Sequence, residues 1–228
     1  MPTFTPADYS AIYLSLKVAM SATLLSLPFG FAAAWLMTFP RFRGKVLLDV
    51  LINLPLTLPP VVIGYLLLLL LGQNGWLGRH LLHPLGIRII FTWKAAVIAT
   101  AVVGFPLMVR SIRIGMEGIS EGLIQAARTL GAGTLDTVMT VIVPLSFRGI
   151  LAGAALMFAR GLGEFGATII VAGNIPGVTQ TIPLAIYEYT GSPNGDAMAL
   201  SLCLVSVFIS VAILLCHEYL SRHLVRRD

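Results

Sequence analysis

The sequence predicts an all-α, polytopic membrane protein, a bundle of about five transmembrane helices in one domain over 1–228. Three observations predict it. Only 11% of the 228 residues are charged and 57% are hydrophobic, where a soluble domain carries about a quarter charged. Apolar runs long enough to cross ~30 Å of hydrocarbon recur at 10–38, 46–71, 95–113, 147–172 and 197–220. The basic residues also alternate between the two sides of these runs.

That alternation gives the orientation. Arg41, Arg43 and Lys45 lie in the first connection, Arg110, Arg113, Arg128 and Arg148 in or beside the third, and Arg222, Arg226 and Arg227 in the tail. The other connections hold only Arg79, Arg88 and Lys94, so ten basic residues face three. Positive charge marks the cytoplasmic side, which puts the N-terminus outside and the C-terminus in the cytoplasm. The net charge of +5 therefore reflects topology and not nucleic-acid binding. No basic residue precedes Lys17, so a secretory leader with a positive first region is unsupported and the first helix is expected to be retained.

The first run ends before Pro40 in a short basic turn. The second contains Asn53-Leu54-Pro55-Leu56-Thr57-Leu58-Pro59-Pro60. Proline removes a backbone donor and crowds the preceding turn, so Pro55, Pro59 and Pro60 interrupt this helix. It is either a kinked packing helix or a broken helix lining a pathway, where freed carbonyls meet neighbours or water. The connection 72–94 carries Trp76 and Trp93 as interfacial anchors. His80 and His83 have no third ligand nearby, so no metal site is expected.

A mildly polar insert at about 110–146 separates the third and fourth runs. Ser120 is placed to cap a helix over 121–130, and Gly131-Ala132-Gly133 to stop it. Thr134 is placed to cap a second short helix that ends before Pro144. Leu123, Ala126, Ala127 and Leu130 form a small apolar face at helical spacing. This knob either packs under its own bundle or offers that face to a soluble partner.

The fourth run holds Arg160 and Glu164 one turn apart, where they can pair on one face. A charge at mid-bilayer costs about 2.5–3.5 kcal/mol on insertion scales, so the face points inward. The pair either fixes helix register or lines a path for an anion, with Glu164 limiting how tightly Arg160 holds it. Gly149 and Gly153 allow close helix contact, which would suit a symmetric dimer. Gly161, Gly163 and Gly166 mimic a dinucleotide fingerprint but follow no strand. The connection 173–199 includes 181–187, too short to span, and reads as re-entrant or interfacial. Cys203 and Cys216 are thirteen residues apart in the last run and cannot bridge within one helix. No nucleophile–base set and no phosphate-binding loop occur; Gly44-Lys45 is followed by Val46. The chain is expected to be no enzyme and to bind no nucleotide in the P-loop manner.

Gln125-Ala126-Ala127, then Gly131, then Val141 and Val143-Pro144, resembles the cytoplasmic loop by which bacterial ABC importer permeases meet their ATPase. That pattern is Glu-Ala-Ala, three residues, Gly, nine residues, Ile or Val, one residue, Leu, Pro. Gln125 stands for its Glu and Val143 for its Leu. Together with LPLTLPPVVIGY and FARGLGEFGATI, the loop is similar to the molybdate ABC transporter permeases, with sulfate and tungstate relatives close behind. The resemblance runs from about 10 to 220. It implies a type I, MetI-like permease fold and a multi-pass subunit of the bacterial inner membrane. It implies a second copy of the chain, two ATP-binding cassette subunits and a periplasmic oxyanion-binding protein as partners. ATP and Mg would be used by the partner ATPase, and this chain would bind no cofactor. Gln125, Ala126, Ala127, Leu130, Gly131 and Pro144 would couple to the ATPase. A rival of another class is a channel or secondary transporter that needs no ATPase.

Overall fold

The computed structural model describes residues 4–40 and 42–225. Arg41, Arg226 and Arg227, counted above, lie outside them. Helix α1 (Pro6–Thr38) starts from a reciprocal cap. The Asp8 N–H donates to Thr5 Oγ1 at 3.4 Å and the Thr5 N–H to Asp8 Oδ2 at 2.7 Å, satisfying two donors a helix start leaves free. Its 33 residues run about 50 Å, longer than the bilayer core is thick.

Helices α2 (Lys45–Thr57) and α3 (Pro60–Leu71) share the second apolar run but are bent by 114°. Leu58 is extended at φ −85°, ψ 142°, as a residue before proline favours, and Pro60 opens α3 where its missing donor costs nothing. The expected interruption is present. Beyond a π-helical turn at Gly78–Leu82, α4 (Trp93–Glu117) begins at Thr92, whose hydroxyl accepts from the Lys94 N–H at 3.2 Å. Then come α5 (Glu121–Thr129), α6 (Thr134–Thr137), a π-helical turn at Val138–Ile142, α7 (Val143–Leu162), α8 (Gly166–Val171), α9 (Ile182–Thr190) and α10 (Asp196–Val225). Among the described residues, four helical stretches are long and apolar enough to cross a membrane, and the α2–α3 pair makes five if it is one span.

Helix α4 is the centre of the bundle, packed on α1 and α7. Met108, Ile112 and Met116 are fully buried along it. Glycines set the spacing. A Cβ on Gly149 would lie 2.9 Å from Gly115 Cα and from the Ser111 carbonyl, and one on Gly153 2.9 Å from the Met108 carbonyl. The Gly149/Gly153 face therefore meets α4 of the same chain, correcting the assignment of that face to a symmetric dimer. Small residues reveal a close approach, not which chain approaches.

Three other expectations change. The fourth run is not one helix: it breaks after Leu162 and resumes at Gly166. The helix after Gly133 does not end before Pro144: Thr134–Leu162 forms one 29-residue stretch, with the π-helical turn just ahead of the proline. Widening the turn gives room to a ring that would clash in a regular helix. Residues 110–117 continue α4 and only the later part of the insert leaves the bundle.

On the opposite end, α9 packs on α1 and α10 through Ala11, Ile182, Ala185 and Leu202. Ser15 Oγ accepts the Ile182 N–H at 2.7 Å and the Tyr189 hydroxyl donates to Asp8 Oδ1 at 2.8 Å. This segment is thus a short helix held against the extension of α1.

Candidate functional site: a protruding helical knob and an ion pair at a helix break

The knob is built by α5, the Gly131 turn and α6. Ser120 occupies the cap position with extended backbone, but its hydroxyl makes no capping bond. The stop at Gly131 is complete. The Gly131 N–H donates to the Arg128 carbonyl and the Ala132 N–H to the Ala127 carbonyl, both at 3.0 Å. This is the paired closure of a Schellman turn, and Gly131 supplies its left-handed residue at φ +91°. Thr134 is the first residue of α6 and not its cap, which is Gly133.

The two faces of α5 differ. Ile124, with Val138 across the turn, packs against the bundle core. Beside them, Glu121, Gln125 and Arg128 line a cavity of ≈ 310 Å³ under Trp35 and Phe39 at the end of α1. The other face is bare: Leu123 is 50% exposed and Leu130, at its end, 89%; beyond the turn Leu135 is 72% and Met139 59% exposed. Ala126 and Gly131 are exposed beside them, Ala127 half-buried and Pro144 exposed. The packing alternative holds for one face. One side anchors the knob and the other leaves an apolar patch of the kind that marks an interaction surface. Gln125 borders the cavity toward α1 and is itself exposed.

Arg160 and Glu164 meet as expected, Nη1 to Oε2 at 2.8 Å. Their setting is different from a mid-helix pair. Arg160 is in the last turn of α7, and Glu164 sits in the break, where its Oε1 accepts the Ala167 N–H at 2.9 Å. One carboxylate therefore pairs with the end of α7 and caps the start of α8. Glu164 is 2% exposed in its side chain and Arg160 33%. The neighbouring Phe165 ring lies 5.2 Å from Tyr187 of α9. Of the prolines, Pro55 stays inside α2, while Pro59 and Pro60 form the turn into α3.

Sequence reading missed two polar contacts. Lys17 points its ammonium at the Trp93 ring, 4.1 Å from the centroid, where the negative face of the indole offsets its charge. Tyr189 is held by Asp8, and burial first, then that hydrogen bond, raises its pKa above 10.0. A lone cation in an apolar run was a signal for the first. Nothing local announced the second, since its partners are 181 positions apart.

The chain is 50% identical over 218 residues to the molybdenum transport system permease protein ModB of Escherichia coli (strain K12), covering 96% of this chain and 95% of that one. A sulfate transport system permease protein, CysW of Synechococcus elongatus, is 42% identical over 178 residues, covering 78% and 62%. Among solved structures, the inward-facing MetNI methionine ABC transporter matches with a TM-score of 0.71 at 16% identity, covering 97% of this chain and 99% of that one. The fold is thus that of the type I, MetI-like importer permeases. A family model matches residues 26–227, and the chain belongs to the binding-protein-dependent transport system inner membrane components.

Proposed function

We propose that this chain is the membrane-spanning permease subunit of an ATP-driven importer that carries molybdate across the bacterial inner membrane. The observation that supports it best is the 50% identity to a molybdenum permease over nearly the whole of both chains, against 42% to a sulfate permease. Two copies form the translocation unit, with the N-terminus outside and the C-terminus in the cytoplasm. Two ATP-binding cassette subunits dock beneath, and a periplasmic binding protein delivers the oxyanion. ATP and Mg belong to the partner ATPase, and this chain binds no cofactor.

The bare face of α5 supplies the coupling surface: Leu123, Ala126 and Leu130, with Ala127, Gly131 and Pro144 shaping it. Nucleotide can drive the cycle only by binding one conformation better than the other, so closure of the ATPase pair must reach the spans through this knob.

The test is uptake of labelled molybdate into proteoliposomes holding this chain, its ATPase and its binding protein. Uptake is expected to require internal ATP, and sulfate in excess is expected to compete weakly. Uptake by the chain alone would establish the channel or secondary-transporter rival. Preferred uptake of sulfate or tungstate would reassign the cargo.

A further inference from the structure

The two interrupted spans break at the same place. The gap between α2 and α3 closes at Pro60 and the gap between α7 and α8 at Gly166. A Cβ on Gly166 would lie 2.9 Å from Pro60 Cβ and 3.4 Å from Val61 Cγ2. Irregular backbone at membrane depth persists only where protein buries it or where it lines a wet cavity.

The charged pair at this junction is lopsided. Glu164 is sealed and fastened: Oε1 is held by the Ala167 N–H at 2.9 Å, and its side chain is 2% exposed. Arg160 is open: a third of its side chain is exposed, and its contact with Oε2 is 2.8 Å. A pair serving only to fix helix register would gain by closing both ends. Here the cation keeps part of its surface open while the carboxylate is tied to backbone. Lys17, the other cation well inside an apolar run, already rests on Trp93.

We propose that Arg160 is the membrane-embedded ligand for the transiting oxyanion and that Glu164 is the resident anion it displaces. This rests on the oxyanion-importer reading above. The planar guanidinium offers parallel N–H donors that match two oxygens of a tetrahedral anion. When the anion takes those donors, Glu164 keeps its bond to Ala167, so the start of α8 survives the exchange. Because Glu164 waits at 2.8 Å, it recaptures Arg160 and releases the anion. The arrangement trades affinity for turnover.

The test uses the assembled complex of this subunit with its ATPase. Equilibrium dialysis of labelled molybdate, without binding protein, reads retention. ATP-driven uptake, with binding protein, reads turnover. Glu164→Gln keeps an acceptor for the Ala167 N–H and removes the competing charge. It is expected to raise retention about tenfold, the scale of one charged hydrogen-bond competitor, and to lower maximal uptake. Arg160→Gln is expected to lose retention and uptake together, with Arg160→Lys between it and wild type. If Arg160→Gln does not assemble, the Glu164→Gln and Arg160→Lys pair still decides. With wild-type uptake intact, Glu164→Gln unchanged in both readouts would overturn the displaced-anion role of Glu164, and Arg160→Gln or Arg160→Lys retaining molybdate as wild type does would overturn Arg160 as its ligand. Absence of wild-type oxyanion uptake would instead overturn the importer reading.

Discussion

Gly131 allows coupling to be separated from folding. Its φ is +91° and nothing lies within 4 Å of where a Cβ would sit. A side chain there meets no wall inside the subunit, so its intrachain cost is conformational, about 1–2 kcal/mol for an L-residue in the left-handed region. Alanine and tryptophan carry that same backbone cost; asparagine, which tolerates the region, carries less. Only tryptophan adds bulk beside Leu130, on the bare face. Gly131→Asn is therefore expected to transport near the wild-type rate. Gly131→Ala should lose no more than about thirtyfold, the equivalent of about 2 kcal/mol. Gly131→Trp should fall well below Gly131→Ala, while thermal unfolding of the two purified subunits coincides. The assay is ATP-driven uptake in proteoliposomes, with unfolding followed in detergent. Normal uptake by Gly131→Trp, or equal losses for Ala and Trp, would refute a partner surface at this turn.

Other perturbations test the packing and the polar contacts. Gly149→Leu drives a side chain into the backbone of Gly115 and Ser111, and such overpacking costs about 1–3 kcal/mol or more, to be read as a lowered unfolding midpoint in detergent. Arg160→Ala leaves Glu164 buried without its partner, and breaking a buried pair on one side costs about 3–5 kcal/mol. The double replacement with Glu164→Ala is expected to be the more stable of the two; a double variant less stable than either single would contradict the pairing. Tyr189 has a folded-state pKa raised above 10.0. Its contribution is therefore complete below pH 10 and lost as pH rises through the folded value. Protease sensitivity of the α9 segment should rise at alkaline pH in wild type, and Tyr189→Phe should remove that dependence.

Much of this architecture was legible because the forces behind it are local. The apolar runs marked four spans and a fifth that is bent, since hydrocarbon thickness dictates length. Pro59-Pro60 marked the break in the second run and Gly131 the stop of α5. Other features were hidden for physical reasons. The break at 163–165 lies in an apolar run without proline, and its organiser, Glu164, looked like a simple ion-pair member until its second oxygen was placed on Ala167. Pro144 signalled a helix end, but the π-helical turn before it let the helix continue. Gly149 and Gly153 announced a close neighbour without identifying Gly115, because that choice is made by tertiary packing.

The unbroken stretch from Thr134 to Leu162 has a mechanical consequence. Its 29 residues extend about 43 Å at 1.5 Å per residue, from the foot of the knob to within two residues of Glu164. A helix of that length works as a lever: tilting its inner end displaces its outer end by a comparable distance. Its one irregular joint is the π-helical turn at Val138–Ile142, close to the inner end. On the coupling reading proposed above, a push on the knob would cross that joint and travel along the rest of the stretch to Arg160.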